Sequence, residues 1–434
     1  MQHKPFGSGL VATPLEYLNY LYLNKHFITL FMGTTLMKIA KWDIIFLVFG
    51  VFIIGCASSE PTQKIANVGE LETYLNNRVV SGNPQGMSLV VVKDGKIIYK
   101  KGFGWADRPH EIEATSESVY HWWSITKIVT AIAILQLQEQ GKLRLDDSVK
   151  KFLPYFNVQY PSAKSKTITI RQLMNHSSGL HNPSFRIMSW IHHEGEPSVN
   201  QTYLVKKLLP DFSKLEFEPD DHSEYSNFGY MVLGAVIEKV TDQTYEAYIK
   251  NHILDPLGMK HTDFKYNEDM EPNIAAGSHP TFTWVSPLIP FIVGSFISKI
   301  SLDHIWLDRF CTDPTASSGL IGSATDIARL VAAYLNGGEL EGQRILSQES
   351  VDTMTNAGYM KEKEEDPTNY VRQGIGWKIY KNRGQLVITH EGGGLGFLTK
   401  IQLIPNEKLG LILFTNDVTC EAWKILNIAN TLNW

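Results

Sequence analysis

Cysteine is scarce in this chain, 3 among 434 residues, so no disulfide framework holds it together and an ordinary apolar core must do so. Basic tracts are missing too. The net charge is −5 and no run of lysine or arginine suits a phosphate backbone, which excludes nucleic acid as a partner. The one dense charge cluster, Lys361 to Pro367, mixes both signs and reads as a solvated loop. No Gly-x-Ser-x-Gly occurs, which argues against the strand-turn-helix nucleophile of α/β-hydrolases. No His-Glu-x-x-His occurs either, and His176, His181, His192 and His193 lack the i,i+4 spacing of a helical metal site. Neither a metal nor a cofactor is expected. Internal repeats and low-complexity tracts are absent.

What is present is a globular composition, 43% hydrophobic and 20% charged, long enough for two lobes. The amino-terminal region stands apart. Lys38 and Lys41 precede an apolar run, Ile44 to Ile54, of 11 residues. That is the length of a signal-peptide core and too short for a comfortable membrane span. Ile53-Ile54-Gly55-Cys56 follows and resembles the lipobox of bacterial lipoproteins, which implies lipid attachment at Cys56. An uncleaved anchor is the alternative, and both readings place the chain outside the cytoplasm on a membrane. Residues 1–36 read as an upstream extension, 37–55 as the signal and 56–68 as a tether. Cys311 and Cys420 are expected to remain unpaired thiols.

Along the remainder, MSLVVVKDGKIIYKKGFG (Met87 to Gly104) holds two β-rich runs around Asp94-Gly95, a hairpin signal. QLVITH, FLTKIQLIP and LGLILFTN are further strands near the other end, and Glu421 to Leu432 suits a closing helix. Ser323-Ala324-Thr325-Asp326 fits a capping box that opens a helix ended by Gly337-Gly338. Between these ends the pattern is mostly helical. The expectation is an α/β fold of the α+β type: an antiparallel sheet built from both termini and flanked by helices, with an inserted all-helical lobe.

The chemistry centres on HWWSITKIVTAIAILQLQEQG, His121 to Gly141. This helix is apolar on nearly every side yet carries Lys127 in its first turn, three residues and one helical turn after Ser124. Serine is a weak nucleophile without a base. A lysine beside it serves as that base if desolvation lowers its pKa. A helix N-terminus also presents free N–H groups to a developing oxyanion. Further on, Tyr225-Ser226-Asn227 precedes another helix, and His390-Glu391-Gly392 ends a strand and runs into GGLGF. That glycine-rich stretch joins strand to strand, which excludes dinucleotide binding.

In this order and spacing the three elements resemble those of the serine β-lactamase and penicillin-binding-protein superfamily, in its class C, D-alanyl-D-alanine carboxypeptidase and esterase branch. ITIRQLMNHSSGL, HILDPLGM, SSGLIGSATDIARLVAAYLNGG and GIGWKI look like framework phrases of the same family, and the likeness runs from about Gly69 to Trp434. It implies a β-lactamase/transpeptidase-like domain over 69–434, with an α/β lobe at about 69–120 and 315–434 and a helical lobe at about 121–314. It further implies Ser124 as the nucleophile forming an acyl-enzyme, with Lys127 and Tyr225 sharing proton transfer. Asn227 would orient the substrate, and His390 would assist Tyr225 and meet the substrate's polar end. The backbone of Ser124 and Gly393, beside Gly392, would form the oxyanion hole.

The chain departs from the family at His390, where dedicated β-lactamases more often carry lysine. It departs again at the bulky His121-Trp122-Trp123 lead-in and at Pro219-Asp220, which replaces a common Pro-Gly. The expected activity is hydrolysis of an ester, amide or peptide by a membrane-tethered monomer. A D,D-peptidase or β-lactamase, or an idle lipoprotein that binds cell-wall fragments, are the alternatives. An apolar insertion, 281–310, is read either as packing on the helical lobe or as a lid or membrane-dipping surface.

Overall fold

The computed structural model describes residues 65–182, 189–283, 285–356, 370–382 and 384–434. The signal segment, Cys56, the Lys361–Pro367 cluster and Trp284 lie outside them.

One antiparallel sheet of eight strands organises the chain. Its order across the sheet is Tyr370–Gln373, Lys378–Asn382, Gln385–Gly394, Phe397–Ile404, Leu409–Thr415, Gly86–Lys93, Lys96–Asp107 and Ile112–Glu113. The seam between the two termini is the pairing of Gly86–Lys93 with Leu409–Thr415, running from Met87 opposite Thr415 to Lys93 opposite Leu409. Both strands are buried almost throughout because both faces of the sheet are covered. Successive side chains alternate between the faces. Met87, Leu89 and Val91 meet the helices Val68–Val80 and Ala422–Ala429, while Val90 and Val92 join the large core beneath Thr126–Glu139 and Ala324–Leu335. The Asp94-Gly95 turn closes the first hairpin with both residues at positive φ, 50° and 73°, as a type I′ turn requires.

Ser323 caps the helix Ala324–Leu335, accepting from Asp326 N at 3.1 Å, and Gly337 and Gly338 end it at positive φ. The reciprocal half of the expected capping box is diverted: the Asp326 carboxylate accepts from Thr262 Oγ1 instead, at 2.8 Å. The intervening lobe also differs from an all-helical one. Besides helices it carries short pairings, among them Ile191–His193 with Phe310–Thr312, and Ile321–Ser323 between Val119–His121 and Thr262–Asp263. Insertion 281–310 belongs to another, in which His304–Leu307 lies between Ser278–Pro280 and Ile297–Ile300. These strands have two to four residues, too few to show a period of two. Cys311 and Cys420 are buried and free. Among the described residues no helix is long and apolar enough to cross a membrane.

Candidate active site

Ser124 sits in the 3-10 turn Trp123–Ile125 that leads into the helix Thr126–Glu139. Trp123 adopts φ 48°, the left-handed region that bulky residues avoid. It is held there because its indole lies against Gly394, where a Cβ would come within 2.3 Å of the ring, and beside His121 and Phe310. Trp122 is wholly buried and packs edge-on to Phe414. The bulky lead-in therefore faces the core. It leaves Ser124 half-buried.

Lys127 is fully buried, and desolvation lowers its pKa well below the usual lysine value. Its Nζ lies 2.6 Å from Asn227 Oδ1, 2.8 Å from Ser317 O and 3.1 Å from Ser124 Oγ. The Asn227 amide orientation follows from its neighbour, since Nδ2 donates to Asn182 Oδ1 at 3.0 Å. Both oxygens facing Lys127 are therefore acceptors only. A neutral amine has two N–H bonds and one lone pair. In that form the N–H bonds satisfy Asn227 and Ser317 and the lone pair points at Ser124, whose hydroxyl would donate to it; in the charged form the third N–H donates to Ser124 Oγ instead.

Tyr225 completes the arrangement, donating to Ser124 Oγ at 2.8 Å. Packing around the phenol raises its pKa, so it stays protonated at neutral pH. Tyr225 precedes Ser226, which caps the helix Asn227–Thr241 through Gly229 N and donates to His181 O at 2.9 Å. His176 braces this turn from below. Its Nδ1 accepts from Ser226 N at 3.1 Å and its ring lies 4.4 Å from that of Tyr225. Asp220, standing where glycine is common, has φ 72°, and its carboxylate accepts from Gln172 Nε2 at 2.6 Å and Ser177 Oγ at 2.9 Å. Aspartate tolerates this region better than most residues, and those bonds hold it there.

His390 is buried, and desolvation lowers its pKa to about 3. Nδ1 donates to Gly376 O at 2.7 Å, which fixes the neutral tautomer and leaves Nε2 as an acceptor. Its ring centroid is 6.5 Å from that of Tyr225. Gly376, at φ 72°, also donates its N–H to Tyr230 Oη at 3.1 Å. Past His390 the strand Gln385–Gly394 has lost its neighbour Lys378–Asn382, whose last pairing is Lys378 with Thr389. Among the described residues one edge of the stretch 390–394 is thus without a strand partner, next to Ser124. Gly392 approaches so closely that a Cβ would stand 3.1 Å from Ser124 N. Thr399 Oγ1 fastens the two segments by donating to Trp122 O at 3.0 Å or Gly392 O at 3.2 Å.

Ser124, Lys127, Tyr225 and Asn227 are thus joined by hydrogen bonds, with His390 near Tyr225, Gly392 against the Ser124 turn, and Gly393 next in the same strand. Asn182, Ser317, Gly376 and Thr399 join them without having been singled out from sequence. Asn227 touches Lys127 and Asn182, a place suited to positioning the lysine. A second serine near a histidine and a carboxylate, Ser198 with His192 (3.1 Å) and Asp313 (3.4 Å from the other ring nitrogen), is exposed on the surface. His181 pairs with Glu216, and His193 stacks on Phe296.

A serine between a desolvated amine and a phenol, at the edge of an antiparallel sheet flanked by helices, is the arrangement that a serine nucleophile needs. The chain belongs to the Beta-lactamase family, whose profile matches residues 71–428. Protein flp of Staphylococcus aureus (strain MRSA252) is 28% identical over 367 residues, 83% of this chain; the chain spans 65% of that relative's length. An octameric penicillin-binding-protein homologue from Pyrococcus abyssi superposes with a TM-score of 0.66 at 27% identity, over 84% of this chain and 77% of the other. A D-amino acid amidase from Ochrobactrum anthropi SV3, complexed with L-phenylalanine, shares the fold at TM-score 0.63 and 20% identity, over 83% and 97%.

Proposed function

We propose that this chain is a membrane-tethered, extracytoplasmic hydrolase that acts on an ester or amide through an acyl-enzyme at Ser124. The observation that carries the reading is the hydrogen-bond accounting around Lys127. Two acceptor-only oxygens consume the N–H bonds of the neutral amine and aim its lone pair at Ser124 Oγ. Ser124 Oγ attacks the substrate carbonyl carbon as its proton passes to Lys127 Nζ. The backbone N–H groups of Ser124 and Gly393 receive the oxyanion. Tyr225, protonated and 2.8 Å from Ser124 Oγ, delivers a proton to the leaving alkoxide or amine and recovers one from Lys127. Water then attacks the acyl carbon along the reverse proton route, returning free Ser124 and the carboxylic acid. Asn227 holds Lys127 in register, and neutral His390 offers Nε2 to the Tyr225 side of the cleft.

The test is covalent labelling by a fluorophosphonate, read by intact mass. Wild type should gain one adduct and Ser124→Ala none. An equal gain in both proteins, for instance through Ser198, would refute the assignment. The D,D-peptidase or β-lactamase reading is supported by the penicillin-binding-protein relatives. It is separated by turnover of D-Ala-D-Ala peptides and a chromogenic cephalosporin beside graded esters. Membrane tethering rests on Lys38, Lys41, the apolar run and Cys56.

A further inference from the structure

From Thr281 to Ser298 the chain carries no acidic or basic side chain. Its centre is the helical turn Ile289–Val293, between the 3-10 turns Ser286–Leu288 and Gly294–Phe296. One side is packed, with Val285, Val293 and Phe296 buried. The other faces solvent: Phe291 is 79% exposed, Phe282 75% and Ile292 37%. Single exposed apolar residues need no explanation, but three within one uncharged segment of the chain ask for an interaction partner.

The segment is firmly held at its base, so its exposure is not a product of slack. Ser278 donates from N and Oγ to Asn416 O, Thr281 N donates to Asp303 O, and Ser286 Oγ donates to Pro280 O. Its packed side continues to the catalytic turn. Phe296 lies edge-on to Phe310 at 6.1 Å, and Phe310 is 6.0 Å from Trp123, the neighbour of Ser124. The exposed ridge and the nucleophile turn thus share one aromatic wall.

We propose that the Phe282, Phe291 and Ile292 ridge docks into a lipid bilayer surface and turns the cleft toward it. The inference rests on the tethering reading. Eight residues lie between Cys56 and Ile65, where the described chain begins, so the nine steps from one to the other make a leash of at most about 30 Å. The helix Val68–Val80 then spans about 20 Å and leads to Gln85, which touches His304 beside the ridge. Such a leash keeps the domain against the surface, and an uncharged aromatic face is the one most easily buried at the acyl boundary. A second copy of the chain is the competing occupant.

The experiment uses the processed full chain in phosphatidylcholine and phosphatidylglycerol vesicles doped with a lipid bearing a diazirine on its acyl chain. Carbene adducts are mapped by peptide mass. Adducts on 282–292 as well as near Cys56 uphold the proposal. Adducts near Cys56 alone overturn the ridge and leave the tether standing. Adducts on 282–292 alone uphold the ridge and remove the tether, and none at either place overturns both. Phe282→Ser with Phe291→Ser should lower ridge labelling at least ~10-fold, with kcat/KM on a short soluble ester kept within about twofold. Phe291→Ser alone should lower ridge labelling in the same direction if the double variant fails to fold. A dimer in sedimentation that those substitutions dissolve, without lipid adducts, assigns the ridge to a second copy and overturns the bilayer reading.

Discussion

Gly392→Ala is the sharpest test of how the strand and the serine turn are fitted together. A Cβ at this position would stand 2.0 Å from Trp122 O, 2.7 Å from Thr399 Oγ1 and 3.1 Å from Ser124 N. Carbon and oxygen normally approach to about 3.3 Å. One segment must therefore retreat by roughly 1 Å. Thr399 cannot swing aside without losing its hydrogen bond to Trp122 O or Gly392 O. Trp122 cannot move because its indole is wholly buried. The strain should cost about 1–3 kcal/mol of stability. The displaced oxyanion donors should cost more, since a misplacement of about 1 Å can lower a rate about 100-fold. The assay is kcat/KM on a p-nitrophenyl ester together with the burst of acylation and a thermal melt. Gly294→Ala, with open space around it, is the matched control. A folded Gly392→Ala enzyme within about threefold of wild type would refute the view that this contact sets the oxyanion geometry.

Other consequences can be read from individual side chains. Asn227→Asp puts a carboxylate 2.6 Å from Lys127 Nζ, raising the lysine pKa and holding it protonated; kcat should fall at least ~100-fold at neutral pH, with the acid limb of the pH–rate profile moved to higher pH. An unshifted limb would exclude Lys127 as the base. His121 is buried with a pKa lowered to about 3, so its contribution to stability is present above the unfolded value of about 6.5 and is lost as pH falls toward 3. Denaturant midpoints at pH 7.5 and 5 should show His121→Phe losing about 2 kcal/mol less than wild type over that interval. Asp220→Ala should be less stable than Asp220→Gly by about 1 kcal/mol, because both lose the carboxylate bonds but only alanine is strained at φ 72°; equal melting temperatures would mean the turn relaxes.

The central strands were legible because they carry continuous apolar runs and a hairpin dipeptide that physics links to a type I′ turn. The outer strands Tyr370–Gln373 and Lys378–Asn382 were not. They are short, and residues such as Arg372, Gln373 and Lys381 leave little apolar pattern to read. At the candidate site, Ser124, Lys127, Tyr225 and His390 stand out in the sequence by motif spacing. The carbonyls of Ser317 and Gly376 do not, because a backbone acceptor carries no residue signature. Asn182 was one asparagine among many until the fold set it against Asn227. Pro219-Asp220 had no consequence in the sequence alone; the positive φ of Asp220 supplies one.

The burial of Lys127 and its chemistry are one arrangement. Desolvation is the cause of its lowered pKa, and the polar groups against its amine are an amide oxygen, a peptide carbonyl and the serine hydroxyl. Were the amine charged, its third N–H would also point at Ser124 Oγ, which already accepts from Tyr225. The serine proton would then have no base to go to. Neutralising the amine reverses that one bond and turns the same three neighbours into a proton acceptor's cradle. The apolar helix that follows Ser124 is what keeps water, and with it the charged form, away. Ser317 and Asn227 come from segments far from Ser124 in sequence, so the base acquires its direction only when the lobe between the terminal strands has packed. Local signals place the serine and lysine one turn apart; the tertiary fold decides which of them holds the proton.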